Sequence, residues 1–135
     1  MFVKESLATR LISLQILDEC LVLEVTLNKK KGIICAIYRS PSQTADEFEN
    51  FIDSIDQLLH SVSLLNPYFT ILLGDFNAKS STWSIDDSTT NEGHMLESVT
   101  SFYGLSQLIK DPTHILPTTS SCIDLIFTDQ TSIIR

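Results

Sequence analysis

Glycine and proline are scarce, four of each in 135 residues, too few chain breakers for a disordered chain and a sign of a globular one. No apolar run approaches the roughly 18 residues of a membrane span. The amino end also lacks a basic region followed by an apolar block, so neither insertion nor secretion is signalled and the chain reads as intracellular. Cysteine is limited to Cys20, Cys35 and Cys122, with no CxxC or Cys/His ligand spacing. These three read as small buried hydrophobes in a reducing compartment, with no disulfide partner. Cationic residues are outnumbered, nine against seventeen acidic, for a net charge of −8. That balance opposes the basic footprint of a nucleic-acid binder, although a metal-dependent site can be acidic where the cation sits and basic only at its rim.

What is present fits one domain. A chain of this length buries roughly two-thirds of its unfolded surface, and 43% hydrophobic residues supply a core. Cys20 to Leu27 and Ile33 to Tyr38 are two apolar, β-branched runs separated by Asn28-Lys29-Lys30-Lys31-Gly32, the pattern of a β-hairpin whose lysines form a solvated turn. After Pro41, Thr44-Ala45-Asp46-Glu47 matches a capping box. Phe48, Phe51, Ile52, Ile55, Leu58, Leu59 and Val62 then recur at helical spacing, with Asp46, Glu49, Asp53 and Asp56 on the other face.

Asn66-Pro67 ends that helix, and Tyr68 to Leu73 reads as a short strand covered on both faces. A second helix is expected from about Asn91 to Tyr103, with Met95, Leu96, Val99, Phe102 and Tyr103 as its apolar stripe and Gly104 as its stop. Leu105 to Ile109 and Cys122 to Thr128 are two further strands around a proline- and threonine-rich loop, Asp111 to Thr119. The order of elements is mixed α/β.

Chemistry concentrates in Leu73-Gly74-Asp75-Phe76-Asn77-Ala78-Lys79. Side chains at i and i+2 of an extended segment point the same way, so Asp75 and Asn77 converge just past the strand end. Gly74 is expected to let the backbone turn there. Open α/β sheets place their sites where buried strands run out at the carboxyl end; an ordinary β-turn would use the same residue types. Asp124 is a lone acid in an apolar strand between Ile123 and Leu125. It either has a partner, because an unpaired buried charge is costly, or sits exposed on an edge strand.

Four ordered motifs carry a resemblance: Ile37-Tyr38-Arg39-Ser40-Pro41, then Leu72-Leu73-Gly74-Asp75-Phe76-Asn77-Ala78, then Asp111-Pro112-Thr113, then Ser120 through Thr128. From about Ser6 to Thr128 the chain resembles the endonuclease/exonuclease/phosphatase family. Within it, the likeness is to the endonuclease domains of LINE-type non-LTR retrotransposons, which are similar to apurinic/apyrimidinic endonucleases. The resemblance implies an α/β sandwich of two packed sheets. It implies Mg²⁺-dependent hydrolysis of DNA phosphodiesters, with Mn²⁺ as a substitute, and a nuclear location if DNA is the substrate. Asp75 and Asn77 match the family's water-activating and phosphate-holding pair, Asp75 also serving at the metal, and Tyr38 matches the strand-end tyrosine that contacts the phosphate. Asp124 and Ser121 match the S-x-I-D motif; Thr113 matches a phosphate-contacting threonine, and Arg39 is placed at the rim.

Parts of the family pattern are not found. The family's first-strand asparagine, its metal-holding glutamate and its closing Ser-Asp-His have no counterpart, and Glu5, Glu19 and Glu24 lie outside the metal context. His60, His94 and His114 fall on a helix face, a helix start and a loop, so none replaces that histidine. The expectation is therefore one incomplete domain over residues 1–135, lacking N-terminal and last C-terminal strands, with little or no activity alone. A phosphatase or phosphodiesterase of the same fold, or a non-catalytic interaction module using its sheet edges, are the other readings.

Overall fold

Side-chain alternation along the strands decides which face of the sheet is covered. In a computed structural model, describing residues 8–12, 19–39, 44–76, 78, 80, 89–108, 114–115, 120–121 and 124–130, the elements run β1 (Ala8–Ile12), β2 (Cys20–Leu27), β3 (Lys30–Tyr38), α1 (Ala45–Leu64), β4 (Phe69–Asp75), α2 (Asn91–Phe102), β5 (Ser106–Gln107), β6 (His114–Ile115), β7 (Ser120–Ser121) and β8 (Asp124–Thr128). Six strands form one sheet in the order β1-β2-β3-β4-β8-β5, and β6 pairs with β7. Ile33, Cys35 and Ile37 of β3 turn to one face. There they join Val22, Leu72, Leu125 and Phe127 in a core closed by α1.

The hairpin expected from the sequence forms with a tighter turn. Asn28 and Lys29 are its two turn residues, both at positive φ (53° and 65°), the conformation of a two-residue type I′ connection. Lys30 and Lys31 belong to β3, paired with Leu27 and Thr26, so the lysine run is mostly strand. Lys30 lies 3.9 Å from the Tyr68 ring centroid, and Glu24 accepts from Arg10 at 3.1 Å on the neighbouring strand.

α1 forms where the spacing places it. The Thr44 hydroxyl accepts from the Glu47 amide at 3.2 Å, the Glu47 carboxylate accepts from the Thr44 amide at 2.9 Å, and the seven apolar residues of the expected stripe are its buried residues. β4 is covered on both faces over Phe69 to Leu72. α2 begins on a Thr90 cap that accepts from the Gly93 amide at 3.1 Å. It ends as a Schellman motif: Gly104 at φ 75° donates to Ser101 at 3.0 Å while Leu105 donates to Thr100 at 3.0 Å.

Its buried face, however, is Gly93, Leu96 and Thr100, and Phe102 is 80% exposed. The Thr100 hydroxyl can point inward because it donates to the Leu96 carbonyl at 2.9 Å. Of the last two expected strands, β5 is confined to Ser106–Gln107 and β8 starts at Asp124; Ile109, Cys122 and Ile123 lie outside the described residues. Burial pushes the Cys20 thiol up to about 11. Burial, then its neighbour Cys20, pushes the Cys35 thiol up to about 12. Both stay protonated and serve packing.

The two helices are tied by Tyr103, whose hydroxyl donates to the Asp56 carboxylate at 2.7 Å. Burial first, then that hydrogen bond, pushes the phenol up from 10 to about 12. A group whose pKa is raised on folding stabilises the fold fully below its unfolded value and loses that contribution as pH rises through the folded one. The melting-temperature gap between the native chain and Tyr103→Phe should therefore hold steady up to pH 10 and close as pH approaches about 12. A gap that does not change with pH would contradict this assignment.

Candidate active site

Strand register gathers the chemistry at one end of the sheet. β3 and β4 run parallel, with Ile37 beside Gly74 and Tyr38 beside Asp75. β4 and β8 run antiparallel, with Asp75 beside Asp124. Tyr38, Asp75 and Asp124 thus occupy one level across three adjacent strands, and residues at one level of a sheet are near neighbours. Tyr38 is 50% exposed. Asp75 is half-buried.

Gly74 has a different role from the one its sequence context suggests. It lies inside β4 rather than in a turn, and a Cβ built on it would sit 1.9 Å from the Ile37 carbonyl oxygen. The missing side chain is what lets β3 and β4 approach at this level. Gly32, at the other end of the same pair, is covered by the Phe69 ring, 2.1 Å from where its Cβ would be.

Arg39 is only 6% exposed, so the rim position expected for it is not where the structure puts it. Its backbone amide donates to the Asp75 carbonyl at 3.1 Å, and its Nη1 donates to the Phe76 carbonyl at 2.9 Å. The guanidinium lies 4.2 Å from the Phe48 ring centroid, an arrangement in which a flat cation gains from an aromatic face. Burial pushes its pKa down, and the carboxylates of Glu92 and Asp75 push it back up. One residue therefore grips two successive carbonyls of the segment that carries Asp75.

The backbone beyond Asp75 is fastened from below. Phe76, Ala78 and Ser80 are fully buried. Phe76 meets Phe127 edge-on at 5.9 Å, and the Ser80 hydroxyl donates to the Glu97 carboxylate of α2.

Of the residues singled out from the sequence, Tyr38, Asp75 and Asp124 come to one level. Asn77 and Thr113 lie outside the described residues. Ser121 is on β7, paired with His114. Among the described residues no group of three or more His, Cys, Asp or Glu side chains comes together as a metal cage. A single carboxylate such as that of Asp75 is compatible with Mg²⁺, which keeps several waters and takes one or two carboxylates plus substrate phosphate. Glu92 was not picked out from the sequence; its only signal there is an acid in the first turn of a helix, which suits the helix dipole anyway.

This arrangement of sheet and helices is the fold of the endonuclease/exonuclease/phosphatase proteins. The chain is similar in structure to the endonuclease domain of TRAS1, a telomere-specific non-LTR retrotransposon, with a TM-score of 0.74 and 20% identity over 96% of this chain and 59% of that one. It is also similar to an endonuclease/exonuclease/phosphatase family protein of Bacteroides thetaiotaomicron (TM-score 0.56, 14% identity, 83% of this chain and 40% of that one). A third likeness is to D. rerio TDP2 complexed with single strand DNA product (TM-score 0.51, 14% identity, 90% of this chain and 51% of that one). The chain thus spans less than two thirds of the length of each. No curated protein matches the sequence. Residues 32–135 match the model of the Endonuclease-reverse transcriptase family, and the chain belongs to that family.

Gly74→Ala tests the β3–β4 register most sharply. Forcing a methyl group against the Ile37 carbonyl should cost about 3 kcal/mol, read as a lower midpoint in urea denaturation. A loss below about 0.5 kcal/mol, as for an ordinary surface change, would mean that the two strands are not this close.

Proposed function

We propose that this chain carries part of the active site of a Mg²⁺-dependent DNA endonuclease of the retrotransposon kind. Family and fold support hydrolysis of the nuclease or phosphatase type. The observation that carries the finer reading is the alignment of Tyr38, Asp75 and Asp124 at the carboxyl end of β4.

A phosphodiester is anionic and repels a nucleophile, so its hydrolysis needs an activated water and relief of the charge that develops on the phosphate oxygens. In this reading Asp75 orients the water and accepts its proton, while Asn77 holds the water and the phosphate. The Tyr38 hydroxyl donates to a phosphate oxygen. Asp124 completes the acidic row, and Ser121 and Thr113 add hydroxyl donors. Arg39 acts by holding the two carbonyls around Asp75 and Phe76, not by meeting the phosphate. Mg²⁺, or Mn²⁺ in its place, would be held by Asp75 and would supply Lewis-acid stabilisation when bound.

DNA is the substrate that the family supports, and the charge pattern bears on where it can lie. α1 and α2 contain seven carboxylates and neither lysine nor arginine, so a polyanion is repelled from the helical side and approaches at the strand ends. The metal-holding glutamate and the Ser-Asp-His histidine of the resemblance are not matched in these residues. The 135-residue chain by itself is therefore a weak nuclease in this reading.

Nicking of supercoiled plasmid tests the proposal. The expected result is slow, Mg²⁺-dependent nicking that EDTA stops and that Asp75→Ala lowers by about a hundredfold or more. Nicking that persists in EDTA or in the Asp75→Ala chain would contradict it, and fast nicking would contradict the weak-nuclease part.

A further inference from the structure

α2 has a second apolar stripe beside the one it buries. Gly93, Leu96 and Thr100 are its buried residues; Met95, Val99 and Phe102, spaced i, i+4 and i+7 and so on one side of the helix, line an open groove of about 500 Å³ against α1, Met95 and Val99 also packing against the edge of the core. Met95 and Val99 are half-buried there, and Phe102 is left 80% exposed. An aromatic side chain at the lip of an apolar groove is the kind of group that anchors partners. The α1 side of the groove is built from Ile52 and Asp56. Glu49, Asp53 and Asp56 recur at i, i+4 and i+7, all exposed, so they form one acidic stripe running beside Ile52. The Asp56 carboxylate also accepts from the Tyr103 hydroxyl.

We propose that the α1/α2 groove docks a basic amphipathic helix of a protein partner. The partner's apolar side covers Met95, Val99 and Phe102, and its lysines or arginines lie along Glu49, Asp53 and Asp56. Charge complementarity selects this occupant. Neither helix holds a lysine or arginine, so an acidic or phosphorylated segment meets only repulsion here, while a basic one gains both steering and contact. An apolar and an acidic stripe, both at helical spacing, favour a helix over an extended strand, because a helix repeats its side chains at the same interval and lays them into such a groove. The proposal is independent of the nuclease reading, since it involves neither Asp75 nor the strand ends.

A labelled synthetic helical peptide, with leucines on one face and lysines on the other, tests it by fluorescence anisotropy against the whole 135-residue chain. Its counterpart with glutamate in place of each lysine is the control. The expected result is saturable binding of the basic peptide that weakens with salt, at least about tenfold weaker binding of the acidic one, and a loss of at least about tenfold with Phe102→Ser or with Glu49→Lys/Asp53→Lys. Equal binding of the two peptides, no binding, or binding unchanged in these variants would overturn it. So would self-association of the chain, seen by sedimentation, that Phe102→Ser abolishes, because the groove would then belong to a second copy. Should either variant fail to fold by circular dichroism, backbone amide shifts of the unaltered chain decide the matter. Peptide-induced changes centred on residues 95–102 support the groove, and changes centred elsewhere overturn it.

Discussion

The close approach of Gly74 to the Ile37 carbonyl is the constraint on which the rest depends. Parallel pairing at that level is open only to a residue with no Cβ, because the oxygen occupies the place where the Cβ would be. Once the pair is set, Tyr38 must lie beside Asp75, and antiparallel pairing on the far side of β4 brings Asp124 to the same level. A slip of one residue would send Asp75 to the other face of the sheet. The glycine therefore acts on the candidate chemistry through register, without touching a ligand.

A second layer of support holds the strand end rigid. Arg39 reaches under the segment to the Phe76 carbonyl while its guanidinium lies on Phe48 of α1, so the helix that closes the core also fixes the peptide units next to Asp75. Burying a guanidinium is costly unless it is well paired. Here the nearby carboxylates of Glu92 and Asp75 offset that cost. The protein thus separates its charges. Carboxylates cover the helical side, and the buried Arg39 sits near Asp75. A carboxylate held beside a fixed cation by packed backbone is preorganised, which is what electrostatic catalysis requires.

Local signals were the legible ones. Thr44 and Glu47 announce the start of α1, and its apolar spacing names all seven of its buried residues, because capping and helical period are properties of neighbouring residues. Gly104 announces the end of α2 for the same reason. What the sequence misleads on is non-local. Gly74 reads as a turn residue, and only the approach of Ile37 from another strand shows otherwise. Arg39 is placed at the site's rim by the resemblance, until Phe48 and the Phe76 carbonyl are brought around it. Lys30 and Lys31 read as turn, yet pairing with Leu27 and Thr26 draws them into β3. Phe102 shares the spacing of a core stripe, but α2 turns Leu96 and Thr100 inward and leaves it in solvent. The resemblance filled part of this gap by linking Tyr38, Asp75 and Asp124 across long stretches of chain, which spacing alone could not do.

The proposed site gathers Tyr38 and Asp124 around a divalent cation held by Asp75, and paramagnetic broadening by Mn²⁺ tests it most directly. Added at low ratio to the isotope-labelled chain, Mn²⁺ should broaden the backbone amide signals of Tyr38, Asp75 and Asp124 together, and excess Mg²⁺ should restore them. Broadening centred on the carboxylates of α1 and α2, or reaching Asp75 without Asp124, would contradict the account.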